Sequence, residues 1–270
     1  MAELKKCFTI NQNRTTNDFE GYRQLLKFDI FQGIEIFFPY NHDEDRKRTY
    51  AENVMKLKKE FPNVEVVMHL PHGPSSSLCN FENYKEIIQR MKDGMDFTSV
   101  YQTKKLTLHL GQVDKNIDRQ VYVDHIIPVL QELCDYAKKY QMNIMIENMP
   151  ASGELGYSPD EIEEIIVRTN RDNLKFILDT GHAHVSEYSV VTYIRQLKNY
   201  LMHMHFSDND GSRDAHTRMG SGTIDFELVF SELAKIGYNQ LHCLEVLFNE
   251  ATQLIDYASD LGHYEPFYEK

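Results

Sequence analysis

The stretch YLMHMHFSDNDGSRDAH, residues 200–216, changes character halfway along. Its first seven residues are apolar or aromatic, with histidines at alternate places. That is the two-residue period of a strand, which puts His203 and His205 on one face. From Ser207 the chain becomes turn-rich, and Gly211 permits a sharp reversal before Asp214-Ala-His216. In an extended segment residues two apart share a face, so Asp214 and His216 can approach one ion together. His205, nearer the loop, is the better ligand. His203, one layer deeper, suits a hydrogen-bonded core role.

The same plan recurs along the chain. Runs rich in branched apolar residues, CFTI (7–10), GIEIFF (33–38), VEVVMHL (64–70), KLTLHL (105–110), NIMIEN (143–148), LKFILD (174–179), YLMHMHF (200–206) and LHCLEVL (241–247), read as strands. Amphipathic segments such as 123–140 and 226–237 lie between them, with apolar residues three and four apart. Strands alternating with helices imply an α/β protein with a parallel sheet. Eight units with no linker or compositional break predict a single domain over residues 1–270, closed as a (β/α)8 barrel.

The ends of these strands carry the chemistry. His69, His109, Glu147, Asp179, His205 and Glu245 lie near the ends of the third through eighth strands. Those ends converge on one face of such a barrel, where its active sites are built. Glu147 and Glu245 follow apolar runs, and a carboxylate in such a wall needs a cation or strong donors beside it. The strand ends hold no arginine, so a divalent metal is the expected partner. LDTGHAH supplies a second pair, Asp179 and His182, across a turn containing Gly181. Tyr157, Phe37, Phe38 and Phe206 are candidates to wall a pocket. Pro71-His72-Gly73-Pro74 forms a rigid loop over the site, where His72 can touch substrate.

The 29 basic and 41 acidic residues give a net charge of -12, which repels nucleic acid and anionic membranes. DRKRTY (45–50) reads as the start of a solvated helix. No apolar run reaches the ~18 residues of a membrane span, MAELKKCFTI has no hydrophobic signal segment, and a cytoplasmic location is expected. Four scattered cysteines suggest buried free thiols rather than disulfides.

These motifs, IEN, LDTGHAH, HFSDNDGSRDAHTRMGSGTIDF and LEV, resemble the xylose isomerase-like barrel superfamily. It includes sugar and sugar-phosphate isomerases and epimerases, and the endonuclease IV family of DNA-repair enzymes. The resemblance to the epimerase branch implies one divalent ion on Glu147, Asp179, His205 and Glu245. The resemblance to endonuclease IV implies up to two more, on His69, His109 and shared Glu147, and on His182, Asp214 and His216. Such mixed donors suit manganese or zinc, and also iron, cobalt or magnesium. Glu147, Asp179, Asp214 and Glu245 bring four negative charges, so two or three dications would favour an anionic ligand.

Two activities follow from that resemblance. An isomerase or epimerase of a small sugar or sugar phosphate would use Glu147 and Glu245 to exchange protons. Arg213, Arg218 and the glycines of MGSGTID would hold a phosphate at the start of the next helix. A phosphodiesterase acting on abasic DNA would use the larger ligand set. The segment after the first strand, NQNRTTNDF, lacks the histidine and glycine-rich run of the repair enzymes, which ranks the sugar enzyme first.

Overall fold

Parallel ladders join β1 (Lys6–Thr9), β2 (Gly33–Phe37), β3 (Glu65–His69), β4 (Lys105–Leu108), β5 (Asn143–Glu147), β6 (Leu174–Asp179), β7 (Leu201–Phe206) and β8 (His242–Leu244) in chain order. β8 returns to β1 and closes the barrel. This is a computed structural model describing residues 4–10 and 19–268. Most of the NQNRTTNDF segment, residues 11–18, lies outside the described residues.

The outward positions of the strands are apolar and pack against the helices. Phe8, Ile36, Leu106, Ile146, Phe176 and Phe206 belong to one large buried cluster. The inward positions form layers. Cys7, Val67, Met145, Ile177 and Cys243 make a small apolar plug inside the barrel. Above it, toward the carboxyl ends of the strands, the inward positions turn polar: Glu35, Thr107 and His203 in one layer, then His69, Glu147, Asp179 and His205 at the mouth. The apolar plug closes the interior below, so ligands have the mouth as their approach.

Local signals place the helices. The helix Glu44–Glu60 opens on Asp43, which accepts from the Arg46 amide, and carries the pairs Lys47–Glu44 and Arg48–Asp45 on its solvated face. The helices Arg119–Lys138 and Phe226–Lys235 cover the two amphipathic segments, and the second ends before Gly237, whose φ of 67° suits a residue without a Cβ. The four cysteines are free and buried. Among the described residues, no helix is long and apolar enough to cross a membrane.

The turn expected after the sixth strand is instead a short helix, Thr180–Val185, capped by the Asp179 carboxylate accepting from the His182 amide at 2.6 Å. Gly181 is needed there because a Cβ would meet Ser207 Oγ at 2.5 Å. The expected strand 241–247 stops at Leu244, which leaves Glu245 just past the ladder.

Candidate metal centre

The barrel mouth brings all nine sequence-predicted ligands together in three groups, two of which share Glu147. Glu147, Asp179, His205 and Glu245 form one; His69 and His109 form another with Glu147; His182, Asp214 and His216 form the third. Within each group, one donor atom from every residue lies within 4.8 Å of the others. Glu147 is the hinge of the arrangement. Its Oε2 accepts from His109 Nε2 at 2.8 Å, and its Oε1 lies 3.1 Å from His205 Nδ1 and 3.7 Å from His182 Nδ1.

Loop geometry brings the last two ligands back over the mouth. Asp208 and Thr217 pair as an antiparallel bridge, so the loop between them doubles back, and Gly211 takes a φ of 81° within it. The Asp214–His216 pair does not meet through an extended backbone. His216 adopts a left-handed φ of 45°, an uncommon conformation for a non-glycine residue, and this lays its Nε2 2.9 Å from Asp214 Oδ2.

The imidazoles are oriented from behind. His69 Nδ1 donates to the Leu70 carbonyl at 2.9 Å, His182 Nδ1 to the Asn148 carbonyl at 2.9 Å, and His216 Nδ1 to the Glu245 carbonyl at 3.1 Å. Each leaves Nε2 facing a carboxylate of the cluster: Glu147 at 3.7 Å for His69, and Asp214 at 3.3 and 2.9 Å for His182 and His216. A backbone bond that fixes one ring nitrogen as donor presents the other as a lone pair, the usual arrangement behind a metal-ligating histidine.

The electrostatics describe a site that needs cations. Burial alone would raise the Glu147 carboxyl, but the charges and hydrogen bonds of His205 and His109 hold it well below its ordinary value. Burial likewise opposes ionisation of Glu245, yet His205 and His216 bring it down to about 2. Asp179 goes the other way: burial, reinforced by Glu245 and Glu147 and only partly offset by His182, raises it to about 7. His216 loses to burial less than it gains from Asp214, Glu245 and Asp179, and rises to about 10. Asp179 Oδ2 and Asp214 Oδ1 are buried without a hydrogen-bond partner among the described residues. Orphaned carboxylate oxygens among preset imidazole nitrogens fit a divalent cation, with donors suited to manganese, zinc, iron, cobalt or magnesium.

The centre opens into a cleft of about 410 Å³. Ile10, Phe37, Met149 and Val246 give it apolar walls, and His72 lies on its lining. Burial, with the neighbouring charges of His69 and His109, lowers His72 to about 3, so it faces the cleft as a neutral imidazole. Phe38, Phe206 and Tyr157 are not on this lining; Phe206 points outward and stacks on Phe230 with ring centroids 5.2 Å apart.

The expected phosphate cradle is arranged differently. Arg218 is tied to Asp260 by bonds of 2.6 and 2.8 Å and lies over the Tyr257 ring, and Arg213 is exposed; neither lines the cleft. The amides of Gly220, Gly222 and Ile224 donate to the Asp208 carboxylate at 2.9, 2.9 and 3.2 Å. The chain's own carboxylate thus fills the anion-binding loop. Gly222 cannot carry a side chain there, since a Cβ would meet the Asn209 carbonyl oxygen at 2.2 Å.

Sequence reasoning passed over Glu35, a fully buried carboxylate on β2 that accepts from Thr107 Oγ1, His203 Nε2 and His205 Nε2 at 2.8, 3.0 and 2.9 Å. The signal was present in GIEIFF: a charge inside an apolar run, the same criterion that picks out Glu147. Asn148 was also missed. It ties β5 to β6 by donating to the Asp179 carbonyl and accepting from the Asp179 amide, at 3.0 and 2.8 Å.

A family model described as the xylose isomerase-like TIM barrel matches residues 28–262, and the chain belongs to this family. The family's relatives include sugar epimerases and endonuclease 4-like proteins. An uncharacterized protein of Methanocaldococcus jannaschii is 29% identical, with 84% of this chain and 85% of that protein covered. The fructoselysine 3-epimerase of Escherichia coli O157:H7 is 24% identical over 80% of this chain and 81% of its own length. A probable endonuclease 4 of Lachnoclostridium phytofermentans is 26% identical over 66% and 64%. A crystal structure of a D-tagatose 3-epimerase-like protein superposes with a TM-score of 0.82, covering 98% of each chain at 22% identity, which shows the shared fold.

Proposed function

We propose that this protein is a divalent-metal-dependent isomerase or epimerase of a small sugar or sugar phosphate, with Glu147 and Glu245 as its proton-transferring groups. One observation carries the reading: two carboxylates flank one imidazole at the floor of a cleft, Glu147 at 3.1 Å and Glu245 at 2.9 Å from His205 Nδ1. Glu147, Asp179, His205 and Glu245 would hold the ion. When bound, it supplies Lewis acidity to adjacent carbonyl and hydroxyl oxygens and so acidifies the carbon-bound proton between them.

The chain's own groups then handle the proton. An ionised Glu147 or Glu245 takes it from carbon onto a carboxylate oxygen. The other carboxylate, having taken up a proton from solvent, returns it to the opposite face and inverts that centre; return by the same carboxylate to the neighbouring carbon, with the hydroxyl proton passing to the former carbonyl oxygen, isomerises the sugar. The apolar walls of Ile10, Phe37, Met149 and Val246 limit water around these carboxylates. His72, neutral and on the lining, is placed to hydrogen-bond a sugar hydroxyl.

The test is turnover in D2O of a panel of ketoses and their phosphates by metal-loaded protein. Deuterium incorporated at a carbon next to the carbonyl, lost in both Glu147→Gln and Glu245→Gln, supports the reading. Full turnover by both variants with metal bound contradicts it.

A second reading is favoured by one observation, the full set of nine donors in three groups. Such a set would serve an endonuclease IV-like phosphodiesterase, in which metals activate water and stabilise a leaving oxygen. Chelator-sensitive cleavage of an abasic-site duplex at catalytic protein concentrations would place it ahead of the sugar reading.

A further inference from the structure

His205 differs from His69, His182 and His216 in what holds its far nitrogen. Those three are braced by backbone carbonyls, whereas His205 Nε2 points down the barrel to a carboxylate, Glu35 Oε2, at 2.9 Å. We propose that Glu35 is a positioning residue of the metal centre: it fixes the Nε2 proton of His205, aims Nδ1 at the cation site, and places a negative charge directly behind that ligand. The inference rests on the reading above that His205 holds a metal.

The stereochemistry leaves few alternatives. His205 Nδ1 faces Glu245 Oε2 at 2.9 Å, Glu147 Oε1 at 3.1 Å and Asp179 Oδ2 at 3.9 Å, so it is the nitrogen directed at the cation donors. A ring that gives its Nδ1 lone pair to a cation carries its remaining proton on Nε2. That proton meets Glu35 inside a barrel layer where Glu35, His203 and His205 are all fully buried. Without an acceptor there, the N–H would be left unsatisfied away from water.

Glu35 is itself held in place from two sides. Thr107 Oγ1 donates to Oε1 at 2.8 Å, and His203 Nε2 donates to Oε2 at 3.0 Å. His203 Nδ1 is buried with no partner among the described residues, which puts that ring's proton on Nε2 and makes His203 a neutral donor. The carboxylate charge is therefore not neutralised by His203 or Thr107. It acts on His205, as a carboxylate behind a ligating imidazole raises the basicity of the ligand.

The experiment uses full-length protein labelled with 15N-histidine, stripped of metal and reloaded with Zn2+, with affinity measured by chelator competition. The expected long-range 1H–15N spectrum shows His205 protonated at Nε2 and metal-bound at Nδ1. Glu35→Gln keeps the shape and can still accept from both imidazoles, but lacks the charge. Its Zn2+ dissociation constant should rise about 10–100-fold, and Glu35→Asp, which restores the charge, should recover part of the loss.

Zn2+ binding by Glu35→Gln within twofold of wild type overturns the inference. So does a His205 protonated at Nδ1, which is read on the wild type and needs no variant to fold. A thiolate-to-metal charge-transfer band on Co2+ substitution also overturns it, because the cation would then sit among Glu35, His203 and Cys243. A wild-type protein that binds no Zn2+ overturns both this inference and the proposed function, whereas tight wild-type binding with an unaffected Glu35→Gln removes only the inference.

Discussion

Glu245 Oε2 lies 2.9 Å from His205 Nδ1, although Glu245 sits beyond the last ladder pair of β8. Its backbone is still anchored: the Glu245 amide donates to the Phe206 carbonyl and its carbonyl accepts from His216 Nδ1, both at 3.1 Å. The carboxylate is thus fixed at the mouth by the strand on one side and the returning loop on the other.

Replacement of either flanking carboxylate by its amide should slow turnover. Glu147→Gln and Glu245→Gln, measured at saturating metal, are expected to lower kcat by about 10²–10⁴, the usual contribution of a positioned proton-transfer group. A raised KM with kcat unchanged would assign these residues to binding rather than proton transfer.

Asp179 trades stability for affinity. Its Oδ2 has no partner among the described residues and burial raises its carboxyl to about 7, so ionisation at neutral pH is unfavourable without a cation. Asp179→Asn should stabilise the metal-free protein by about 1 kcal/mol at pH 8, seen as a higher midpoint in urea, while weakening metal binding at the site shared with His205.

The metal-free protein should be most stable in mildly acid solution. His216 is raised from 6.5 to about 10, so its contribution is complete below pH 6.5 and disappears as pH rises through about 10. Asp179, raised from 3.8 to about 7, also contributes fully only below its ordinary value, and its contribution is lost as pH rises through about 7. Glu245 is lowered from 4.5 to about 2, so its contribution is complete above pH 4.5 and is lost as pH falls through about 2. Melting of chelator-treated protein from pH 3 to 10 should fall off on both sides of a mildly acid optimum. Metal, which competes with protons on His216 and Asp179, should extend stability to higher pH.

Asp208 holds the loop that carries Asp214 and His216. It accepts from the Asn209, Gly220, Gly222 and Ile224 amides. Asp208→Ala should cost about 1–3 kcal/mol in unfolding free energy through the donors it strands. It should also loosen metal at the His182–Asp214–His216 group more than at the group built on His205, which metal stoichiometry would register.

The barrel was legible because each strand alternates between an apolar outward face and an inward face that is polar only near the mouth. The ligands were legible because they close those strands. What the pattern did not reveal depends on three-dimensional pairing. Glu35 lies mid-strand and acquires its role only when β2 faces β7 across the barrel. Arg218 looks free to bind phosphate until Asp260, more than forty residues on, claims it. Glycines 220 and 222 look like an anion cradle, and they are one, but its occupant is Asp208 from the start of the same loop. The Asp214–His216 pair meets through a left-handed backbone that a two-residue spacing does not disclose.

The most direct measurement is the anomalous difference map of a crystal of the protein soaked in Mn2+. A peak bounded by Glu147, Asp179, His205 and Glu245 at ~2.0–2.3 Å from each is the predicted result. A map with no peak among these four residues, at Mn2+ concentrations that fill other sites on the molecule, would contradict the account.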